Sequence, residues 1–592
     1  MTLFAQLRSY RAEQLRGDLA SALVVTTLVV PQGMAYAMLA GLPPVYGIFA
    51  SIVPALAYAA LGTSSHLCVG PVAITALVVA GGLEPLAAAG SPEYIGLSFV
   101  LAAMVGVILI ALGLLRAGKL VNFLSHPAIL GFTAAAAILT AMSQARGIFG
   151  IPPAALAHET ITAENPWPVL RHLHEGTLVS VVLGGASFVI LVALKRRAPK
   201  VPAALVVCVV GGLFAWWFAA PPTQLAVVGE IPSALPTLAL PPTPPSGYVA
   251  LLGPAVTVAV LGYGTSIAVA KAIAARHRER IRPSRELVAL GVANLLGAFA
   301  SSFPVSGSLT RSQVAAESGG RTQLTMVISV ALLVGSSFGL AAAFAWLPIP
   351  VMAAIIIHSA LGLFDIPQSR EAIRTKPADG VTLVLTFAAT LLLGLVQGLA
   401  AGLLIALLLF VARTARPHTA ELGRIPGTMV YRNVLRFDVE TCPQVGILRV
   451  DAPLYYANAR FLEDRVMAVF DERPDMRILA LECSGVGDLD ATAVRALRNI
   501  VEALRSQGND LHLIGPIGPV RDLLAKSGVG ELIGPQNMHR TIPEAAPKLM
   551  AAISRSYCES TCRVSAFPDC TLIPRARLAT ASAARARFSP QI

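Results

Sequence analysis

The 592-residue chain is 55% hydrophobic and only 13% charged, with a formal net charge of +12. Soluble proteins carry about 25% charged residues, so this composition excludes an ordinary soluble fold and points to a polytopic membrane protein, whose lipid-facing surface needs no charge. The cationic excess does not call for nucleic acid as a partner, because much of it lies in short connections where Lys and Arg mark the cytoplasmic side of a bilayer.

Residues 1–17 form an amphipathic, basic lead-in, without the short apolar core and cleavage site of a signal peptide. Apolar segments then recur at about 18–40, 45–62, 71–81, 94–116, 119–146, 177–195, 202–218, 250–276, 284–302, 309–317, 321–346, 349–365, 379–395 and 396–413. These fourteen segments make a membrane region over 18–413. Segments 71–81 and 309–317 are too short to span a hydrocarbon core, which needs about 20 helical residues. Each is the third of a set of seven, which predicts an inverted repeat with two broken half-helices. The connections "RAGK" (116–119), "KRRAPK" (195–200), "RHRERIRPSRE" (276–286) and "SREAIRTK" (369–376) are basic, whereas 81–93 and 219–249 contain no Lys or Arg. That asymmetry predicts both termini on the cytoplasmic side. The connection 147–176, with one Arg and several His, follows the rule less clearly.

After a linker at 414–429 the pattern changes. Over 430–547, short apolar runs alternate with amphipathic helical periods, as in "MRILALECSGVGDLDATAVRALRNIVEALRSQG". This predicts a soluble α/β domain. Residues 548–592 are rich in Ala, Arg and Ser and are expected to be disordered. The seven cysteines (68, 208, 442, 483, 558, 562 and 570) show no CxxC pairing, so neither a disulfide framework nor a metal site is expected. No nucleophile–base constellation or phosphate loop is present, so neither an enzyme nor a cofactor is implied.

The two short segments carry the chemistry. A helix N-terminus leaves backbone N–H groups unpaired and bears partial positive charge, so two such termini meeting near the midplane make an anion site. The first is "CVGPVAITALVVA": Pro71 suits a first helical position, Val72 and Ala73 offer amides, and Thr75 offers a hydroxyl. The second is "SGSLTRSQV": Ser308 is the expected cap, Leu309 and Thr310 open the helix, and Arg311 adds a full charge with five donors. A bland alternative has Arg311 snorkelling to water or pairing with Glu317. The substrate-site reading is preferred because intramembrane ionisable groups are costly and tend to be functional. Pro31, Gln32 and Gly33 interrupt the first span. Gln32 could donate to an anion or satisfy the kink itself, and the sequence does not choose.

Several motifs, in order, resemble the SulP family of anion transporters (solute carrier family 26). They are "PQGMAYAMLAGLPPVYGIFAS", "GPVAITALVV", "SSFPVSGSLTRSQVAAESGG" and, near the C-terminus, "LALECSGVGDLDATAVRAL". The resemblance implies a seven-plus-seven inverted repeat with a core moving against a gate, a cytosolic STAS domain and commonly a homodimer. It implies a small anion as substrate, with sulfate the leading candidate and bicarbonate or a dicarboxylate the alternatives. It places the anion at positions matching Gln32, Val72–Ala73 and Leu309–Arg311, in a multi-pass protein of a bacterial-type inner membrane. Many bacterial members carry an acid in the eighth helix, where "GTSIAVAKA" has Thr265. A threonine can help coordinate an ion but carries no proton, so proton symport through this coupling-ion position is not expected. Exchange, facilitated uptake or coupling through other groups is expected instead. No other intramembrane acid stands out. In the STAS turn the usual phosphoacceptor position is Ala491, and Thr492 is expected to cap the helix that follows. A neutral-substrate transporter of the same fold is a weaker reading, because a nucleobase site would favour an acid over Arg311. A membrane-anchored STAS signalling protein is weaker too, because an anchor needs no broken helices.

Overall fold

The computed structural model describes residues 6, 10, 12–118, 125–152, 167–198, 201–218, 225–229, 235–244, 247–339, 343 and 345–573. The chain divides into two units, Met1–Ala406 and Leu407–Ile592. In the first, apolar runs form helices and Gly/Pro-rich breaks end them. They are α1 (Ala12–Leu39), α2 (Val45–Phe49), α3 (Val53–Leu61), α4 (Ala73–Leu83), α5 (Pro92–Leu114), α6 (His126–Ser143), α7 (Ala145–Phe149), α8 (Leu178–Arg197) and α9 (Ala203–Phe218). The second half supplies α10 (Tyr248–His277), α11 (Pro283–Phe299), α12 (Leu309–Glu317), α13 (Leu324–Gly339), α14 (Ile349–Leu361), α15 (Ile366–Thr375), α16 (Pro377–Leu393) and α17 (Leu395–Thr414). Among the described residues, seven helices are long and apolar enough to cross a membrane. The third segment of each set of seven is a short strand leading into a short helix: β1 (Cys68–Gly70) into α4, and β2 (Ser306–Ser308) into α12.

Two local outcomes differ from the sequence reading. Helix α1 starts inside the stretch read as a lead-in, and it runs through Pro31 without a break. The basic connection "SREAIRTK" folds as α15, which Asp365 caps by accepting from the Gln368 amide at 2.9 Å. The start of the fifth segment, 119–124, lies outside the described residues.

Helices α1, α3–α5 and α10–α13 pack around the β1–β2 pair, and α6–α8 pack with α14–α16. Helices α5 and α11 cross with their backbones in contact. A Cβ at Gly106 would lie 2.7 Å from the Leu295 amide nitrogen, and one at Gly291 would lie 2.8 Å from the Gly106 carbonyl. Glycine at both positions lets the backbones touch, which is how helices gain packing energy where lipid removes the hydrophobic drive.

The ends of the core helices are held by buried polar side chains. Glu286, in the first turn of α11 and 1% exposed, accepts from Tyr58 Oη at 2.7 Å and from the Thr63 amide at 2.6 Å, and also from the Thr63 hydroxyl. Asp18 of α1, fully buried, accepts from the amides of Arg321 (2.6 Å) and Thr322 (3.2 Å) just before α13. Gln323 donates to the carbonyls of Ser64 (2.8 Å) and Leu67 (3.1 Å). Asp18 and Glu286 are acids that the sequence reading passed over. Each meets the orphan donors of a neighbouring segment, so a buried charge is tolerated.

The second unit is a six-stranded sheet in the order β4–β3–β5–β6–β7–β8, with β3 (Thr419–Arg424), β4 (Tyr431–Asn433), β5 (Val445–Val450), β6 (Ile478–Glu482), β7 (Asp510–Ile514) and β8 (Met538–His539). Strands β5 to β8 are parallel, and β3 is antiparallel to both of its neighbours. Right-handed crossovers of this type need helices; α18 (Ala459–Asp471), α19 (Ala491–Ser506), α20 (Gly518–Lys526) and α21 (Val529–Ile533) supply them. They bury Leu462, Val466, Leu497, Ile500 and Leu524 on one face. Asp490, not Thr492, caps α19, accepting from the Ala493 amide at 2.8 Å.

The segment expected to be disordered from 548 onward is structured as far as 573. Helix α22 (Ile542–Ala551), α23 (Arg555–Ser560) and a 3-10 turn at Pro568–Leu572 cover the other face of the sheet. Phe567, Cys558, Cys570 and Leu549 pack there against Val445, Ile447, Ile478 and Ala480. Gln444 fixes the turn between these helices, accepting from the Ser554 amide at 2.9 Å and donating to its carbonyl at 3.2 Å. Residues 574–592 lie outside the described residues.

His512 and His539 are buried side by side, Nδ1 to Nε2 at 3.0 Å, with their rings stacked. Burial, reinforced by the neighbouring His539, pushes His512 down to about 4. An unfolded chain takes up this proton near pH 6.5, so the folded unit loses stability as pH falls between those values. In calorimetry the transition of this unit should move to lower temperature on acidification from about pH 6.5 to 4, and His512→Phe should flatten that slope. In the first unit, Glu286→Ala removes the carboxylate that accepts from the Tyr58 hydroxyl and the Thr63 amide. It should cost about 2–5 kcal/mol, read as a lower melting midpoint of the detergent-solubilised protein.

Candidate functional site

β1 and β2 pair antiparallel, with Cys68 opposite Ser308 and Gly70 opposite Ser306. Because the strands run in opposite directions, α4 and α12 leave this ladder at opposite ends, and both point their N-termini toward it. In α4 the first intrahelical bond runs from the Ala76 amide to the Val72 carbonyl at 3.0 Å. The amides of Ala73, Ile74 and Thr75 therefore precede the helical ladder and are available as donors. Val72 is extended (φ −139°, ψ 153°) and brings no side-chain cap, so nothing on its own side chain competes for those amides. In α12 the Ser308 hydroxyl accepts from the Arg311 amide at 3.4 Å, the cap expected from the sequence. The Leu309 and Thr310 side chains are exposed, so these two residues bring backbone rather than side-chain groups to the site.

A hydroxyl network fixes the ladder. Thr75 Oγ1 lies 3.0 Å from Ser306 Oγ, joining α4 to β2. Ser312 Oγ donates to the Ser308 carbonyl at 2.6 Å and accepts from the Cys68 amide at 2.9 Å, joining α12 to β1. Ser266 of α10 accepts from the Gly307 amide at 2.7 Å. Asn294 of α11 accepts from the Val305 amide at 2.8 Å and donates to the Val305 carbonyl at 3.0 Å. Ser266, Asn294, Ser306 and Ser312 are absent from the sequence-based site. A lone Asn in the apolar run "ALGVANLLG" was the signal available for one of them.

Among the described residues Arg311 is the largest fully buried side chain, at 1% exposure. It reaches back across the ladder, and its Nη2 donates to the Pro71 carbonyl at 2.7 Å. Among the described residues its Nε has no hydrogen-bond partner. The ionisable groups that act on it are the Cys68 thiol and the Tyr36 phenol, neither of them a carboxylate. Glu317, the partner in the bland reading, is exposed at the far end of α12. Gly70 makes room for the guanidinium: a Cβ there would stand 3.2 Å from Nη2 and 3.3 Å from Nη1. Gln32 is buried in α1, one turn before Tyr36, on a helix that packs against both α4 and α12. The structure thus gathers Val72, Ala73, Thr75, Ser308 and Arg311 around one ladder, with Gln32 on an adjacent helix.

Thr265 turns away from this network. Its hydroxyl donates to the carbonyls of Leu261 (2.9 Å) and Gly262 (3.2 Å) in its own helix.

Two half-helix starts joined by a strand pair, in a chain that ends in an α/β unit, can be set beside known proteins. Residues 15–386 match the sulfate permease family, and residues 436–545 match the STAS domain. The chain belongs to the sulfate permease family. It is 33% identical to sulfate transporter 4.1, chloroplastic, of Arabidopsis thaliana over 576 residues, which cover 94% of this chain and 83% of that one. It is 31% identical to the probable sulfate transporter Rv1739c of Mycobacterium tuberculosis over 543 residues, 91% of this chain and 96% of the other. Murine solute carrier 26 family member A9, an anion transporter solved in the inward-facing state, has the same fold, with a TM-score of 0.84 over 93% of this chain and 94% of that one at 23% identity. The sulfate permease match spans both half-helix starts, and the STAS match spans strands β5 to β8 of the C-terminal sheet.

The network predicts a contrast between adjacent positions of α10. Ser266→Ala removes the acceptor of a buried amide and should cost about 1–3 kcal/mol. Thr265→Ala removes only a hydroxyl bonded back to its own helix and should stay within about 0.5 kcal/mol of the parent. Melting midpoints of the two purified variants distinguish these outcomes.

Proposed function

We propose that the protein is a secondary transporter that moves a small anion, sulfate first among the candidates, across a bacterial-type cytoplasmic membrane by alternating access. The observation that carries this reading is Arg311. It is a fully buried guanidinium with an unsatisfied Nε and no acidic partner, standing where two helix N-termini converge. A buried charge without a counter-ion is costly. An anion resting on the open amides of α4 and α12 supplies the missing charge, as at other helix N-termini. Val72, Ala73, Thr75, Ser308, Leu309, Thr310 and Arg311 are the proposed binding residues, with Gln32 closing the site from α1. A neutral substrate would leave the cation uncompensated.

In this reading the bundle around β1–β2 carries the anion past α6–α8 and α14–α16, two such chains associate, and both termini face the cytoplasm. The basic connections 195–200, 276–286 and 369–376 support that orientation. The names of the Arabidopsis and mycobacterial relatives favour sulfate; bicarbonate and a dicarboxylate fit the same donors. Thr265 has no proton to give, so exchange, facilitated uptake or coupling through other groups is proposed in place of symport through that position.

Uptake of labelled sulfate, bicarbonate and fumarate into proteoliposomes, with and without Na⁺ and pH gradients, tests the function. Arg311→Ala should weaken binding of the transported anion by about 1.5–3 kcal/mol, roughly ten- to a hundred-fold. Unchanged affinity in that variant rejects a direct role for the guanidinium.

A further inference from the structure

A second buried polar cluster lies outside the anion site, at the turns that lead into β1 and out of α10 and α12. His66 sits in the turn between α3 and β1 and is 5% exposed. Its Nε2 is 3.0 Å from the Gly320 carbonyl oxygen. A carbonyl only accepts, so Nε2 carries the ring hydrogen. The neutral ring then presents the lone pair of Nδ1, which has no hydrogen-bond partner, toward Glu279 Oε1 at 3.5 Å. A lone pair facing a carboxylate is unfavourable. One proton on Nδ1 turns the same geometry into an ion pair.

Burial holds the His66 ring below its ordinary pKa and the Glu279 carboxylate acts against that, so the site takes up its proton on acidification. His277, the last residue of α10, stacks on His66 with ring centroids 4.4 Å apart. Its own Nδ1 is 3.1 Å from the Ile273 carbonyl and so carries its hydrogen. Two stacked imidazoles resist taking up two charges. The remaining charge acting on His66 is Asp18, whose carboxylate is already occupied by Arg321, Thr322, Thr325 and Tyr10. Glu279 accepts from the Ser65 amide at 3.3 Å with its other oxygen, and its side chain is 23% exposed, which makes it the route from water to His66.

The cluster touches the segments that build the anion site. His66 lies two residues before β1, and Gly320 lies three residues after α12. His277 ends the helix whose Ser266 holds Gly307 of β2, and Glu279 follows that end by two residues. We propose that His66 and Glu279 form a proton-binding site that ties these three segments together when occupied. Resting on the transport reading above, we infer that pH at this end of the core bundle thereby sets the rate of anion movement. The proton comes from water through Glu279, the new bond is N–H at His66 Nδ1, and the product is a His66 cation paired with the Glu279 carboxylate.

The test has two arms on the full chain. In the first, exchange of the imidazole C2 hydrogen of His66 is followed by mass spectrometry in detergent across about pH 5–9. The midpoint should fall by about one pH unit in Glu279→Gln, which removes the paired charge. An unchanged midpoint overturns the site. In the second, initial rates of sulfate uptake into proteoliposomes are measured against pH. The profile should move the same way in Glu279→Gln and flatten in His66→Gln, which retains an N–H for Gly320. Profiles that superimpose on the parent overturn the link to transport. A parent that moves no anion at all overturns the transport reading instead, and the exchange midpoint still decides the proton site.

Discussion

The bond from Arg311 to the Pro71 carbonyl is the contact on which the rest of the membrane unit depends. It links the first turn of one half-helix to the lead-in of the other, through a side chain with no counter-ion. Everything nearby follows from keeping a bare cation in a dry place. Gly70 has no side chain because the guanidinium occupies that space. The hydroxyls of Ser308 and Ser312 meet strand and helix-end groups, and those of Thr75 and Ser306 pair with each other, all without adding negative charge. Acids are kept to the helix ends, where Asp18 and Glu286 are consumed by donors of adjoining segments. Electrostatically, the centre is one charge short of neutral and the periphery is settled.

That separation explains why one protein can hold buried acids and still favour an anion. At the periphery, a carboxylate accepting several short hydrogen bonds fixes helix ends relative to one another. At the centre, an identical carboxylate would neutralise Arg311 and abolish the field proposed to attract the anion. The position of each acid along its helix, rather than its presence, separates the two roles.

Much of this was legible in the sequence. Fourteen apolar segments, the paired short ones and the starts at "GPVA" and "SGSLTR" gave away the repeat and the half-helices, because Pro, Gly and Ser have strong positional meanings at helix starts. The hydroxyl network was not legible. Thr265 and Ser266 are neighbours of similar chemistry, and only the rotation of α10 against β2 decides which one takes the Gly307 amide. Asp18 and Glu286 were hidden because each stands beside basic residues in a hydrophilic stretch, where solvated charge is the ordinary outcome. Residues 548–573 were misread because they cover the sheet with irregularly spaced Ala, Cys and Phe567, a pattern with no period for either helix or strand.

The three-residue ladder has a further consequence. Since backbone pairing between β1 and β2 sets the spacing of the two helix starts, that spacing does not depend on any side chain lining the path. Substitutions along the walls can change which anion is preferred while the two dipoles stay the same distance apart. Selectivity and the underlying attraction for negative charge are therefore separable properties, and relatives can diverge in the first while inheriting the second intact.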